Sequence, residues 1–229
     1  MKIVDTGVRW GMGTHDIFVP WKYELYSPMS LKDMERYLEQ TKPDLALFGG
    51  GTDLNPKIYK HNNVASAHEG PNICRRDLFE IMVWQMLKRL GVPTLGICRG
   101  AQLSCALSGG ALYQDVQGHL GSHNIQFEDG TVMPMTSTHH QMMLPFEINH
   151  ELIAWATQPL SDKYLMDKTS PEYKKHPTPN KESEIVYFPD TKALAIQGHP
   201  EYWKWDHPSV VKTRQLVNKY LLNGAMPDV

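Results

Sequence analysis

The stretch from Val92 to Leu107 constrains the fold of this chain more than any other. An apolar run, Val92-Pro93-Thr94-Leu95, leads into Gly96-Ile97-Cys98-Arg99-Gly100 and then into Ala101-Gln102-Leu103-Ser104-Cys105-Ala106-Leu107. The order reads as a buried strand, a sharp turn flanked by glycines, and a helix, with a cysteine at the apex. A side chain there is held out of the sheet, and the helix N-terminus behind it favours a thiolate. The same alternation runs upstream. Lys2 to Val8 reads as a first strand, and Gly11 to Gly13, Pro20 and Pro28 mark loop. Ser30 then caps a helix that Pro43-Asp44 follows, and Leu45-Ala46-Leu47-Phe48 forms a short strand closing on Gly49-Gly50-Gly51. Arg76-Asp77-Leu78-Phe79-Glu80 opens a second helix, with apolar positions at Leu78, Ile81, Met82, Met86 and Leu90. Strands alternating with helices predict a parallel sheet covered by helices, with ligands at the carboxyl ends of its strands. Gly49 to Gly51 and Cys98 both fall at that edge.

Composition narrows the class. In 229 residues, 41% are hydrophobic and 21% charged, which fits one ordinary domain spanning residues 1–229. A net charge of −2 with scattered Lys and Arg gives no footprint for nucleic acid. No apolar run is long enough to cross a membrane, and Met1 to Thr6 lacks the apolar core of a secretory signal. Three cysteines without C-x-x-C spacing point to a reducing compartment, so a cytoplasmic location is expected. Downstream, Thr131 to Met135 and Leu152 to Trp155 read as ordered pieces. Residues 161–183, polar and broken by Pro171, Pro177 and Pro179, read as a surface insertion. Ile185 to Phe188 and Ala193 to Ile196 flank a hairpin turn at Pro189 to Lys192, and an amphipathic helix from Ser209 ends at Asn223-Gly224. The expected fold is therefore single-domain α/β: a mostly parallel, flavodoxin-like three-layer sheet flanked by helices, with a small antiparallel region in the C-terminal half.

About a hundred residues after the turn stands His199-Pro200-Glu201. A free cysteine is only a few per cent thiolate at neutral pH, so an imidazole is needed to take its proton. His199 is the candidate, and in extended backbone Glu201 lies on its side to steady the ring. Cys74 and Cys105 have no such partners and read as inert. The glycine run lacks the Gly-Lys-Ser/Thr ending of a phosphate loop. With 11 histidines, the pairs His119 with His123 and His139 with His140 were weighed as metal ligands, but neither has zinc-like spacing, and no metal or cofactor is expected. Tyr202-Trp203-Lys204-Trp205 either walls the pocket or covers the sheet edge.

Together, Gly96-Ile97-Cys98-Arg99-Gly100-Ala101-Gln102 and His199-Pro200-Glu201 resemble the signature pair of class I glutamine amidotransferases. A finer resemblance is to the γ-glutamyl-γ-aminobutyrate hydrolase group. It rests on Gly50-Gly51-Thr52-Asp53-Leu54-Asn55-Pro56 with Tyr59, Arg76 to Glu80, Gly109 to Asp115, and Ser137-Thr138-His139-His140-Gln141. The resemblance implies a Cys98, His199, Glu201 triad that cleaves a γ-glutamyl amide through a thioester. It also implies oxyanion donors from the backbone N–H of Arg99 and of Gly50, with Gly51 in reserve. Gln102, Ser137, Thr138, His139 and His140 stand where the family holds the glutamyl end of the substrate.

Three departures bear on substrate choice. A single short helix precedes the Leu45 strand, residues 161–183 are unusual, and Gly198 replaces a larger aromatic, which is expected to widen the pocket beside the base. The expected function is a hydrolase of a small γ-glutamyl substrate. Its competitors are a glutaminase subunit feeding ammonia to a separate synthetase, and a non-catalytic binding protein on the same fold. A cysteine α/β-hydrolase fits less well, because there the acid precedes the histidine.

Overall fold

The computed structural model describes residues 1–7, 15–66 and 72–227. The strands are β1 (Lys2–Asp5), β2 (Glu24–Tyr26), β3 (Leu45–Phe48), β4 (Thr94–Ile97), β5 (Ala111–Tyr113), β6 (Asp115–Val116) and β7 (Leu120–Phe127). They continue as β8 (Val132–Thr138), β9 (Met142–Leu144), β10 (Glu151–Ala156), β11 (Tyr164–Leu165), β12 (Ser183–Phe188) and β13 (Ala193–Ile196). The α-helices are α1 (Leu31–Gln40), α2 (Arg75–Arg89), α3 (Arg99–Leu107), α4 (Pro171–Lys175) and α5 (Pro208–Tyr220). None is long and apolar enough to cross a membrane.

Nine strands form one sheet in the order β2-β1-β3-β4-β13-β12-β10-β7-β8. Pairing is parallel from β2 to β13 and antiparallel from β13 to β8, so the expected antiparallel region continues the parallel sheet. Period-two alternation sends side chains to both faces. Ala46 and Phe48 pack with Met34, Val83 and Trp84 on one side. Leu45 and Leu47 pack with Leu216 and Val217 of α5 on the other. This is the expected three-layer α/β domain. Ser30 caps α1 through the Asp33 amide, and the β12–β13 hairpin pairs as its turn residues require. Val8 and the Gly11 to Gly13 loop lie outside the described residues.

One expectation needs correction. The inward face of α2 is only in part the one its apolar spacing selects: Met86 is buried and Ile81 packs on the core. Leu78, Met82 and Leu90 are exposed, while Arg76, Asp77 and Glu80 are buried beside Phe79, Val83 and Leu87. Residues 161–183, expected as a surface insertion, are mostly unburied and are anchored by hydrogen bonds. Asp167 accepts from the Asn62 backbone and side-chain amides, and buried Glu182 accepts from the Leu160 and Ser161 amides and the Tyr164 hydroxyl.

Candidate active site

Cys98 ends β4 with φ +52° and ψ −109°, a backbone region that non-glycine residues adopt at a cost of about 1–3 kcal/mol. Its amide is held by the Ile196 carbonyl at 2.8 Å. The flanking glycines are steric requirements. A Cβ on Gly96 would lie 2.3 Å from the Gly100 carbonyl oxygen, and one on Gly100 would lie 1.9 Å from that of Phe48. The turn thus starts α3 directly against β3 and lifts the sulfur out of the sheet.

His199 arrives from the end of β13. Its amide donates to the Thr136 carbonyl at 2.8 Å, and its carbonyl accepts from the Thr136 hydroxyl. Glu201 reaches back to His199 Nδ1 with Oε1 at 2.7 Å. The contact is made by a single 3₁₀ turn, Pro200–Tyr202, and not by the extended pleat expected from the i, i+2 spacing. The carboxylate fixes the proton on Nδ1 and turns Nε2 towards Cys98. No hydrogen bond of ordinary geometry closes on buried Nε2, yet the thiol is close enough to draw charge onto the ring. Burial opposes that charge, but Cys98 and Glu201 outweigh it, and the His199 pKa rises to about 10. Tyr202, 57% exposed, stacks on the imidazole with ring centres 4.4 Å apart, so this aromatic walls the base.

The glycine strand faces the pair from β3. A Cβ on Gly50 would lie 3.0 Å from His199 Cε1 and 3.6 Å from Cys98 Cβ. Gly51, at φ +140°, lies under Arg76, whose Nη2 holds the carbonyls of Gly49 and Gly50 at 3.2 and 2.7 Å. Among the described residues no backbone carbonyl accepts from the Gly50 or Arg99 amide outside regular elements.

Sequence reasoning missed what stands behind this strand. Arg76 Nε donates to Glu80 at 3.0 Å, and the Arg99 guanidinium, 1% exposed, binds both Glu80 and Asp77. Two arginines and two carboxylates thus cancel in the core and join the elbow to the glycine strand through α2. The signal is the i, i+4 pair Arg76 and Glu80, legible in the sequence, where the segment reads as the start of a helix.

The other expected site residues divide. Gln102 is buried and donates to the Gln141 carbonyl at 3.2 Å. Along β8 and its exit the pleat alternates: Ser137 and His139 are buried, whereas Thr138 and His140 face outwards. Ser137 gives its hydroxyl to the His119 carbonyl, and the His139 ring lies 2.9 Å from the Gln141 carbonyl oxygen. His140 lies between Asp53 at 2.9 Å and Asp115 at 3.2 Å. Gly198 corrects another expectation. A Cβ there would meet Met135 Cγ at 2.2 Å, so the space left by the missing aromatic is filled. Cys74 caps α2 through the Asp77 amide, and burial pushes the Cys105 thiol up to about 12.

A strained cysteine elbow on a doubly covered α/β sheet, with His and Glu converging on it, defines the class I glutamine amidotransferase-like fold. The chain belongs to the Peptidase C26 family, whose match covers residues 27–158 and so includes Cys98. Protein NtpR of Enterococcus hirae is 26% identical over 190 residues, 75% of this chain and 72% of its own length. The glutamine-hydrolyzing GMP synthase of Acetivibrio thermocellus is 28% identical over 151 residues, 65% of this chain but only 24% of that enzyme. Among solved structures, a glutamine amidotransferase from Thermotoga maritima superposes with a TM-score of 0.52 at 15% identity, covering 100% of this chain and 86% of its own.

Proposed function

We propose that this protein is a cysteine hydrolase that cleaves a γ-glutamyl amide, with Cys98, His199 and Glu201 as its catalytic triad. The observation that carries the reading is the strained Cys98 elbow set against an imidazole held by a carboxylate at 2.7 Å. Cys98 Sγ attacks the γ-carbonyl carbon, and the proton held by His199 passes to the departing amine. Water then attacks the γ-glutamyl thioester as His199 takes its proton, and glutamate leaves. The amides of Arg99 and Gly50 receive the oxyanion, with Gly51 setting the strand. Such donors typically contribute on the order of a hundred- to a thousandfold in rate. In this reading Gln102, Thr138 and His140 hold the glutamyl end.

A second reading is a glutaminase subunit that hands ammonia to a separate synthetase. It is favoured by the similarity to a GMP synthase of which this chain spans about a quarter. Incubation with glutamine and with a panel of γ-glutamyl amides, beside Cys98→Ala, separates the two. Steady amine release by the protein alone, lost by about 10⁴-fold in Cys98→Ala, supports the hydrolase. Ammonia released only after a synthetase is added supports the subunit.

A further inference from the structure

Five charged or ionisable side chains converge where β10 ends. That strand separates β7 from β12, and beyond Ala156 the last ladder bonds are Ala156 N to Glu182 O and Thr157 N to Asn124 O. Side chains close the gap that follows. His119 and His123 come from the β7 side, His139 from the turn after β8, and Glu182 and Glu184 from β12 and its approach. All but His123 are fully buried, and His123 nearly so.

This cluster is short of positive charge. Among the described residues neither carboxylate pairs with a lysine or arginine, and their only ion-pair partners are the imidazoles. It is also short of hydrogen bonds. Both ring nitrogens of His119, Nε2 of His139 and Oε2 of Glu184 are buried without one. His139 shows why. Its Nδ1 lies 2.9 Å from the Gln141 carbonyl oxygen, which can only accept, so the proton sits on Nδ1. The Nε2 lone pair then points at Glu184 Oε1, 3.8 Å away, and two acceptors face each other. A cation between them, or a proton on Nε2, relieves that repulsion.

The spacing suits a metal. Ligand atoms of His119, His139 and Glu184 all lie within 4.8 Å of one another, with His119 Nδ1 3.2 Å from Glu184 Oε1. Tetrahedral zinc at about 2.0–2.1 Å from each ligand sets neighbouring ligands about 3.3 Å apart. His123 Nε2, 2.9 Å from the same Oε1, donates to that carboxylate from outside this set, so the fourth position is open. The outer contacts match as well. Metal-bound histidines commonly donate the other ring N–H to a backbone carbonyl or carboxylate. His139 has the Gln141 carbonyl for this, and His119 Nε2 has Glu182 at 3.4 Å.

We propose that His119, His139 and Glu184 bind a divalent transition-metal ion of the zinc class, with His123 holding the Glu184 carboxylate from outside. The ion pins β7, β12 and the Ser137 to Gln141 segment where the backbone ladder stops. The site is independent of the hydrolase reading and uses none of the triad.

The test is to incubate the protein with zinc(II) alone, desalt it and count metal by mass spectrometry. About one zinc per chain is expected in the wild type and in Cys98→Ala, with at least a tenfold loss of occupancy in Glu184→Gln. Zinc-edge X-ray absorption on the wild type decides the matter even if that variant does not fold. It should show a nitrogen and oxygen shell at about 2.0–2.1 Å with imidazole scattering and no sulfur. Wild type that holds less than a tenth of an equivalent, a shell containing sulfur, or full binding by folded Glu184→Gln overturns the proposal. In the first case a protonated histidine is the missing cation.

Discussion

Two buried polar clusters in this protein are built on opposite terms. Beside the elbow, Arg76, Glu80, Arg99 and Asp77 pair carboxylate to guanidinium, with the spare Arg76 donor on the Gly49 and Gly50 carbonyls and Arg99 Nε left without a hydrogen bond. At the end of β10, carboxylates face imidazoles whose lone pairs and N–H groups are left over. In the first cluster the protein's own side chains balance every charge. In the second the carboxylates face only imidazoles, several of whose ring nitrogens are orphaned. A charge-balanced cluster is a rigid part, whereas one with several orphaned groups around its carboxylates points to a ligand.

The sharpest way to break this contrast is to unbalance the paired cluster. Arg99→Ala leaves Asp77 and Glu80 as uncompensated buried charges and should cost about 3–5 kcal/mol, read as a shift in urea midpoint. Glu184→Gln, which removes a charge from the unpaired cluster, should cost the zinc-free protein far less in the same titration. Equal losses would erase the distinction between the clusters.

The contrast also separates what the sequence disclosed from what it hid. The elbow was legible because strand, glycine turn and helix are contiguous and the steric demand for Gly96 and Gly100 is local. The order of elements followed from the same local signals. The inward face of α2 was only partly legible, because Arg76, Asp77 and Glu80 are inside on account of Arg99, on another helix. The β10 cluster draws on His119, His139 and Glu184, which no local spacing connects. Gly198 misled in the same way: the atom that forbids a side chain belongs to Met135, on a different strand.

A second pair of sites repeats the contrast between filled and open space on the two sides of His199. Gly198 is backed by Met135, so Gly198→Ala should destabilise by about 1–3 kcal/mol through overpacking. Combining it with Met135→Ala should recover only part of that loss, because the Thr136 carbonyl oxygen still lies 2.7 Å from the added Cβ, as a thermal-melt cycle would show. Gly50 faces the imidazole itself, with 3.0 Å from its added Cβ to Cε1. Gly50→Ala should therefore spare stability and lower kcat by roughly tenfold, because the ring must move by a few tenths of an ångström.

The smallest expected effect is on pH dependence. His199 stands near 10 when folded against an ordinary 6.5, so it holds its proton more tightly in the native state. Its stabilising contribution is complete below about pH 6.5 and is lost as pH rises through about 10. The melting temperature should fall over that window, and fall less in His199→Gln. Removing the carboxylate in Glu201→Gln should lower the imidazole pKa and slow iodoacetamide alkylation of Cys98 at neutral pH.

The claim on which the account depends is that Cys98 alone among the three cysteines is a poised nucleophile for a glutamyl carbonyl. Exposure to a thiol-reactive glutamine analogue, followed by intact mass and peptide mapping, addresses it directly. One adduct per chain on Cys98, absent in Cys98→Ala and strongly slowed in His199→Gln, is the predicted result. An unlabelled Cys98, or labelling that goes to Cys74 instead, contradicts it.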